Sequence, residues 1–117
     1  PGNTAVVVAS GPNPLVASAL GEVVATSDVP AGVVNILTTD VDDVLAHLAP
    51  HRDIDAVHAA GLTPAHASRL RAGVAENLKR VTIRDERTDF ADARVCESVW
   101  WIEPFVEFKT IWHPSAS

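Results

Sequence analysis

Four short apolar runs punctuate the first 84 residues, and three stretches with apolar residues at helical spacing lie between them. Thr4 to Ala9, Val33 to Leu37, Asp55 to Ala59 and Lys79 to Ile83 read as strands. The first is bounded by turn residues and reads as buried on both faces. Pro14 to about Thr26 brings Leu15, Val16, Ala19, Leu20, Val23 and Val24 to one helical face, with Asn13 and Pro14 as its start. Asp40 can cap a short helix through Leu48, with Val41, Val44, Leu45 and Leu48 inward and Pro50 just past its end. Thr63-Pro64 opens a third helix to about Leu78, with Ala67, Leu70, Val74 and Leu78 inward. Strands alternating with helices over short connections imply an α/β fold. Its expected form is a Rossmann-like parallel sheet of about four strands, with helices packed over it and right-handed crossovers.

Composition excludes several classes of function. The net charge is −6, and the nine basic residues are scattered, so no phosphate-binding surface for nucleic acid is expected. The set Arg69, Arg71, Lys79, Arg80 and Arg84 is the tightest, and the cluster around Arg69, Arg71 and Arg80 reads as a solvated face, with a bound phosphate as the lesser alternative. No apolar run approaches the roughly 18 residues that a membrane helix needs. The single Cys96 cannot form an internal disulfide, which leads to the expectation of a reducing, cytoplasmic compartment. The chain has no Met, and Pro1-Gly2-Asn3 runs almost directly into a strand, as expected of a part of something longer.

After Asp85 the texture changes. Arg84 to Asp89 is charged and turn-like, and Phe90 to Ser98 is ambiguous between helix and loop. All three tryptophans and two of the three phenylalanines fall in the last 18 residues. Val106, Phe108, Thr110 and Trp112 alternate with Glu107, Lys109 and Ile111, the period of a strand. So aromatic a strand requires a partner, in its own domain or in another chain. The expected division is a domain over 1–88 followed by a linker and strand over 89–117.

Several segments, in order, resemble the aldehyde dehydrogenases. Gly2-Asn3-Thr4 with the valine run and Pro14-Leu15 is similar to the first strand and helix of that family's nucleotide-binding domain. Pro30-Ala31-Gly32-Val33-Val34-Asn35-Ile36-Leu37-Thr38 resembles its second strand, and His51-Arg52-Asp53-Ile54-Asp55 the approach to its third. Asn77-Leu78-Lys79-Arg80-Val81-Thr82 resembles the approach to the fourth. Glu107-Phe108-Lys109-Thr110-Ile111-Trp112 resembles the C-terminal oligomerisation strand. The resemblance covers about residues 2–84 and 103–112.

The resemblance also implies where a nucleotide would sit, and there the chain departs from the pattern. The family's first strand ends in Lys-Pro-Ser-Glu, whose Lys and Glu hold the adenosine ribose; here the positions are Val8-Ala9-Ser10-Gly11. The turn after the third strand, Phe-Thr-Gly-Ser-Thr in the family, is Ala59-Ala60-Gly61-Leu62-Thr63, with His66 at a second glycine position. Ser10, Gly61 and Thr63 are therefore the candidate cofactor-binding residues. Leu62 and His66 work against the close backbone approach that a pyrophosphate needs. Arg84 stands where the resemblance places the general base, and a guanidinium does not take a proton near neutral pH. Only about twenty residues separate Arg84 from the terminal strand, where the family has its thiol-bearing domain.

Cys96 faintly echoes the family's Gln-x-Cys nucleophile. The accompanying Asn oxyanion donor has no counterpart, because no Asn follows Asn77. A catalytic thiol would need that donor and a depressed pKa, so the plainer reading of Cys96 is a small, partly buried apolar residue. His47 and His51 are four apart, but Pro50 breaks a shared helix face, and His51 reads as a loop residue with local hydrogen bonds. Asp40, Asp42 and Asp43 read as cap and first-turn residues that complement the helix dipole, without the strand-end acids that a magnesium site requires. No catalytic residue and no metal are expected.

Two functions follow. One is a non-catalytic subunit or remnant that associates through its C-terminal strand, with itself or with a full-length aldehyde dehydrogenase, and binds no cofactor. The other is a part of a split NAD- or NADP-dependent aldehyde dehydrogenase, active only with another chain. No nucleic acid or membrane partner is expected in either.

Overall fold

A computed structural model describes residues 2–9, 11, 14–75, 78–84 and 88–113. The chain divides into two compact units, 1–48 and 49–117. The α/β, Rossmann-like reading holds, but where one sheet of about four strands is expected, the described residues form two two-stranded parallel sheets, one in each unit.

In the first unit β1 (Ala5–Ala9) pairs with β2 (Val34–Thr38) in parallel, Val7 opposite Ile36. The crossover between them is α1 (Leu15–Ala25), and α2 (Val41–Leu48) follows β2. Pro14 precedes α1, and its carbonyl accepts from the Ala17 and Ser18 N–H groups; Asn13 lies outside the described residues. Asp40 starts α2 as expected: its Oδ1 accepts from the Asp42 N–H at 2.8 Å, and its carbonyl from Val44. Leu45 is buried, and Val41, Val44 and Leu48 are half-buried, which is the expected face.

Two expectations fail in this unit. The buried residue of α1 is Ala17, while Leu15 and Val16 are both 74% exposed. The helix lies on β2 through its small residues, and a Cβ placed on Gly21 would stand 3.8 Å from Ile36 Cδ1. Small residues permit the close approach, so the larger apolar stripe turns outward. Nor is β1 buried on both faces, since Val6 is mostly exposed. With β2 as its one ladder partner among the described residues, the pair is too narrow for α1 to cover both sides.

In the second unit β3 (Ala56–Ala60) pairs in parallel with β4 (Arg80–Arg84), His58 opposite Thr82 and Ala60 opposite Arg84. The crossover is α3 (Pro64–Val74), which packs on β4 and buries Ala67 and Leu70. β2, β3 and β4 begin and end one residue later than their apolar runs suggest, while β1 begins one residue later and ends at Ala9 as expected. α3 stops at Val74 rather than Leu78, because the Ala75 N–H closes a tighter turn onto the Ala72 carbonyl. Leu78 is not an inward residue; it is exposed, with φ at +55°.

The tail forms α4 (Ala93–Cys96) and two 3-10 turns, Val99–Trp101 and Glu103–Phe105. The strand expected over 106–112 is not formed: these residues make no ladder, and Phe108 and Trp112 are exposed. An extended segment is a strand only when another strand satisfies its backbone, and among the described residues none does.

Candidate functional site

In a parallel pair, side chains alternate between the two faces of the sheet. The register puts His58 and Ala60 on one face with Thr82 and Arg84, and Val57 and Ala59 on the other with Val81 and Ile83. The branched, apolar face is the one suited to packing beneath α3. The polar face meets the tail, whose second 3-10 turn packs against β4.

Arg84 and His58 organise this contact. Arg84 Nε donates to His58 Nε2 at 3.0 Å, and Arg84 Nη2 donates to the Trp100 carbonyl at 3.0 Å. The guanidinium carbon lies 4.4 Å from the centre of the Trp101 ring, within range of a cation–π interaction. His58 stacks on Trp101, centroids 5.1 Å apart and planes at 25°. Phe105 tilts against His58 at 5.5 Å, and Phe90 against Trp101 at 5.9 Å. Burial, and then the Arg84 charge, hold the His58 imidazole below its ordinary pKa. Both effects favour the neutral ring, which is the form able to accept from Arg84.

Local bonds give the tail its shape. Asp92 Oδ1 caps α4 by accepting from the Arg94 N–H at 2.9 Å, and the Arg94 side chain folds back onto the same carboxylate at 3.1 Å. The Arg94 side chain, then its backbone N–H, lower the Asp92 pKa. Trp101 Nε1 donates to the Val95 carbonyl, Cys96 Sγ to the Phe90 carbonyl at 2.8 Å, and the Trp100 N–H to Ser98 Oγ at 3.3 Å. Cys96 is therefore not a partly buried apolar residue. It is exposed on a helix of four residues, with its thiol turned to a carbonyl.

Of the candidate nucleotide residues, Gly61 and Thr63 both lie in the turn between β3 and α3. Ser10 lies outside the described residues. Gly61 follows β3 with φ at +68°, a left-handed conformation suited to glycine. Thr63 caps α3, its Oγ1 accepting from the His66 N–H at 3.2 Å. His51 Nδ1 accepts from the Asp53 N–H at 3.2 Å, a local loop bond of the kind expected. No group of three or more His, Cys, Asp or Glu side chains able to hold a metal occurs among the described residues, and no helix there is long and apolar enough to cross a membrane.

One residue escaped the sequence reading. Lys79, read there only as one of the basic set and as the start of a strand, is buried, and its Nζ donates to the Ala49 carbonyl at 3.2 Å and the His51 carbonyl at 2.7 Å. Burial lowers its pKa. No local signal marks it, because both carbonyls are supplied by a loop nearly thirty residues earlier.

The profile described as the aldehyde dehydrogenase family matches residues 1–84, from the start of the chain to the end of β4. The chain belongs to the aldehyde dehydrogenase family. It is 29% identical over 112 residues to a protein named aldehyde dehydrogenase from Alternaria alternata, a match covering 92% of this chain and 22% of that protein. It is 30% identical over 104 residues to the aldehyde dehydrogenases of Emericella nidulans and Aspergillus niger, covering 86% of this chain and 21% of each. The chain thus spans about a fifth of the length of these relatives. No solved structure gives a significant match. The aromatic residues that cover His58 and Arg84 all lie beyond the stretch that the family profile matches.

Proposed function

We propose that this member of the aldehyde dehydrogenase family is a non-catalytic subunit or remnant that works by association, through its aromatic residues 106–112. The observation that carries the reading is Arg84. It occupies the position where the family resemblance places the general base, it is a donor only, and it is engaged with His58, the Trp100 carbonyl and the Trp101 ring. A residue so placed cannot take the proton that the base must take. At the end of β1, Val8 and Gly11 offer no side-chain group for a ribose. Association is supported by Phe108 and Trp112, which are apolar, almost fully exposed and of the same parity in a segment that forms no helix or ladder. Such a segment can add to the sheet edge of another molecule, its backbone supplying ladder bonds and its alternate side chains filling pockets. The partner is a second copy or a full-length aldehyde dehydrogenase. Light scattering coupled to size exclusion, alone and with such an enzyme, tests this. A chain that stays monomeric and binds no such enzyme rejects the reading.

A second reading is favoured by Gly61 and the start of α3. The left-handed turn delivers the chain to a helix N-terminus whose N–H groups suit an anion. In that case the chain is part of a split NAD- or NADP-dependent aldehyde dehydrogenase, with the remaining machinery on another polypeptide. Calorimetric titration with both nucleotides, for the chain alone and in complex, separates the readings. Heat of binding with Gly61→Val-sensitive affinity supports the second, and no heat in either form rejects it.

A further inference from the structure

We infer that His58, Arg84 and Trp101 form a pH-sensitive clasp: neutral His58 holds residues 99–105 on the β3–β4 pair, and its protonation releases them. The inference does not depend on what the chain associates with.

The geometry sets the requirement. Arg84 Nε can only donate, so its 3.0 Å bond to His58 Nε2 requires that nitrogen's lone pair. The imidazole must then be neutral, with its proton on Nδ1. Once the ring is protonated both nitrogens are donors, and two N–H groups and two positive charges face each other at the same separation. The guanidinium has to move. It cannot move alone, because it also donates to the Trp100 carbonyl and lies over the Trp101 ring. Trp101 in turn stacks on the imidazole itself. One proton therefore acts on the hydrogen bond, the cation–π contact and the ring stack together.

Among the described residues, no carboxylate forms an ion pair with His58 that could neutralise that proton. β4 presents Thr82 directly opposite His58, Arg84 beside it, and exposed Arg80 at the far end of the same face. The two 3-10 turns present Trp101 and Phe105. Glu103 is the one ionisable side chain in those turns, and it is exposed. β3 itself carries no other charged residue. The linkage has a definite sign. Burial and Arg84 set the His58 pKa below its ordinary value in the closed form. The clasp is thus fully formed above the ordinary histidine pKa of about 6.5 and is lost as pH falls through the lower, closed-state value.

The test uses the full chain with Trp100→Phe and Trp112→Phe, which leaves Trp101 as the one indole of the three. The Trp100 contact is through its carbonyl, so that substitution keeps it. Acrylamide quenching of Trp101 should rise roughly twofold between about pH 7.5 and about pH 5, with far-UV circular dichroism unchanged. In His58→Gln the amide oxygen can still accept from Arg84 but does not titrate, so quenching should stay low across the range. A missing rise in the parent, or an equal rise in His58→Gln, overturns the clasp. Should His58→Gln fail to fold, Arg84→Gln is read in its place. Trp101 should then be quenched strongly at both ends of the range, and a pH step like the parent's overturns the inference.

Discussion

Replacing Gly73 by alanine sets two effects of opposite sign against each other, and the structure says which wins. In a helix interior, Gly to Ala is favourable by about 0.8–1.0 kcal/mol through backbone entropy. Gly73 lies in the last turn of α3, so the gain is at most of that size. Against it, a Cβ at position 73 would stand 2.4 Å from Ala49 Cβ and 3.3 Å from both Ala49 Cα and its carbonyl carbon. Carbon atoms rest at about 3.5–4.0 Å, so α3 or residue 49 must shift by about 1 Å. Overpacking of this kind costs about 1–3 kcal/mol. Ala49 is buried and is not free to yield, because its carbonyl accepts from Lys79 Nζ at 3.2 Å. Moving it loosens a hydrogen bond to a charged group, a class worth about 1.5–3 kcal/mol. The net expectation for Gly73→Ala is a loss of about 1–2 kcal/mol. Urea unfolding followed by circular dichroism should show a lower midpoint with an unchanged slope. Ala49→Gly removes the opposing methyl, and in the double variant it should recover at least about 0.5–1 kcal/mol as a coupling energy. A Gly73→Ala protein more stable than its parent would mean that helix propensity dominates, and would refute the close contact between α3 and residue 49.

Two further substitutions probe the second unit. Lys79→Met leaves the Ala49 and His51 carbonyls without the ammonium, and should lower stability by about 1–3 kcal/mol in urea unfolding. Leu78→Asn should instead stabilise by about 0.5–1 kcal/mol in the same assay, since Leu78 holds φ at +55° with its side chain in solvent, and Asn tolerates that conformation.

The order of elements was legible in the sequence because strands and short helices write their periods into adjacent residues. Residues 41–48 show this best: cap, apolar face and stop were all readable from local spacing. What the sequence concealed was always set by a distant partner. The α1 stripe was assigned by hydrophobicity, but the side of a helix that meets a sheet is chosen by how closely the two backbones approach, and Ala17 and Gly21 permit more than Leu15 and Val16. Lys79 was unreadable because its acceptors are carbonyls, which every residue has. His58 is a single polar residue within an apolar run; it lies on the face that the tail covers, and only the register with Arg84 reveals it. At the candidate site, Gly61 and the Thr63 cap were visible locally, whereas the convergence of Arg84 with Trp101 needed the fold.

The tail divides into two parts with different obligations. A strand pair buried on one side by a helix leaves its other side wet unless another layer covers it. Here residues 99–105 provide that layer, with Trp101 and Phe105 against His58 and Arg84. Residues 106–113 have no such layer among the described residues, and Phe108 and Trp112 remain exposed while Trp101 is half-buried. Substitutions in the two parts should therefore separate. Trp101→Ser removes an indole that contacts an imidazole, a guanidinium and a second aromatic ring, and should cost about 2–3 kcal/mol of the chain's own stability. Phe108→Ser and Trp112→Ser remove side chains that solvent already surrounds, and surface changes of that kind stay within about 0.5 kcal/mol. Under the association reading, the second pair should abolish assembly in light scattering while leaving the unfolding midpoint of the dilute, monomeric chain in place. A midpoint that falls as far as in Trp101→Ser would mean that residues 106–112 pack on their own chain, and the association surface would then have to lie elsewhere.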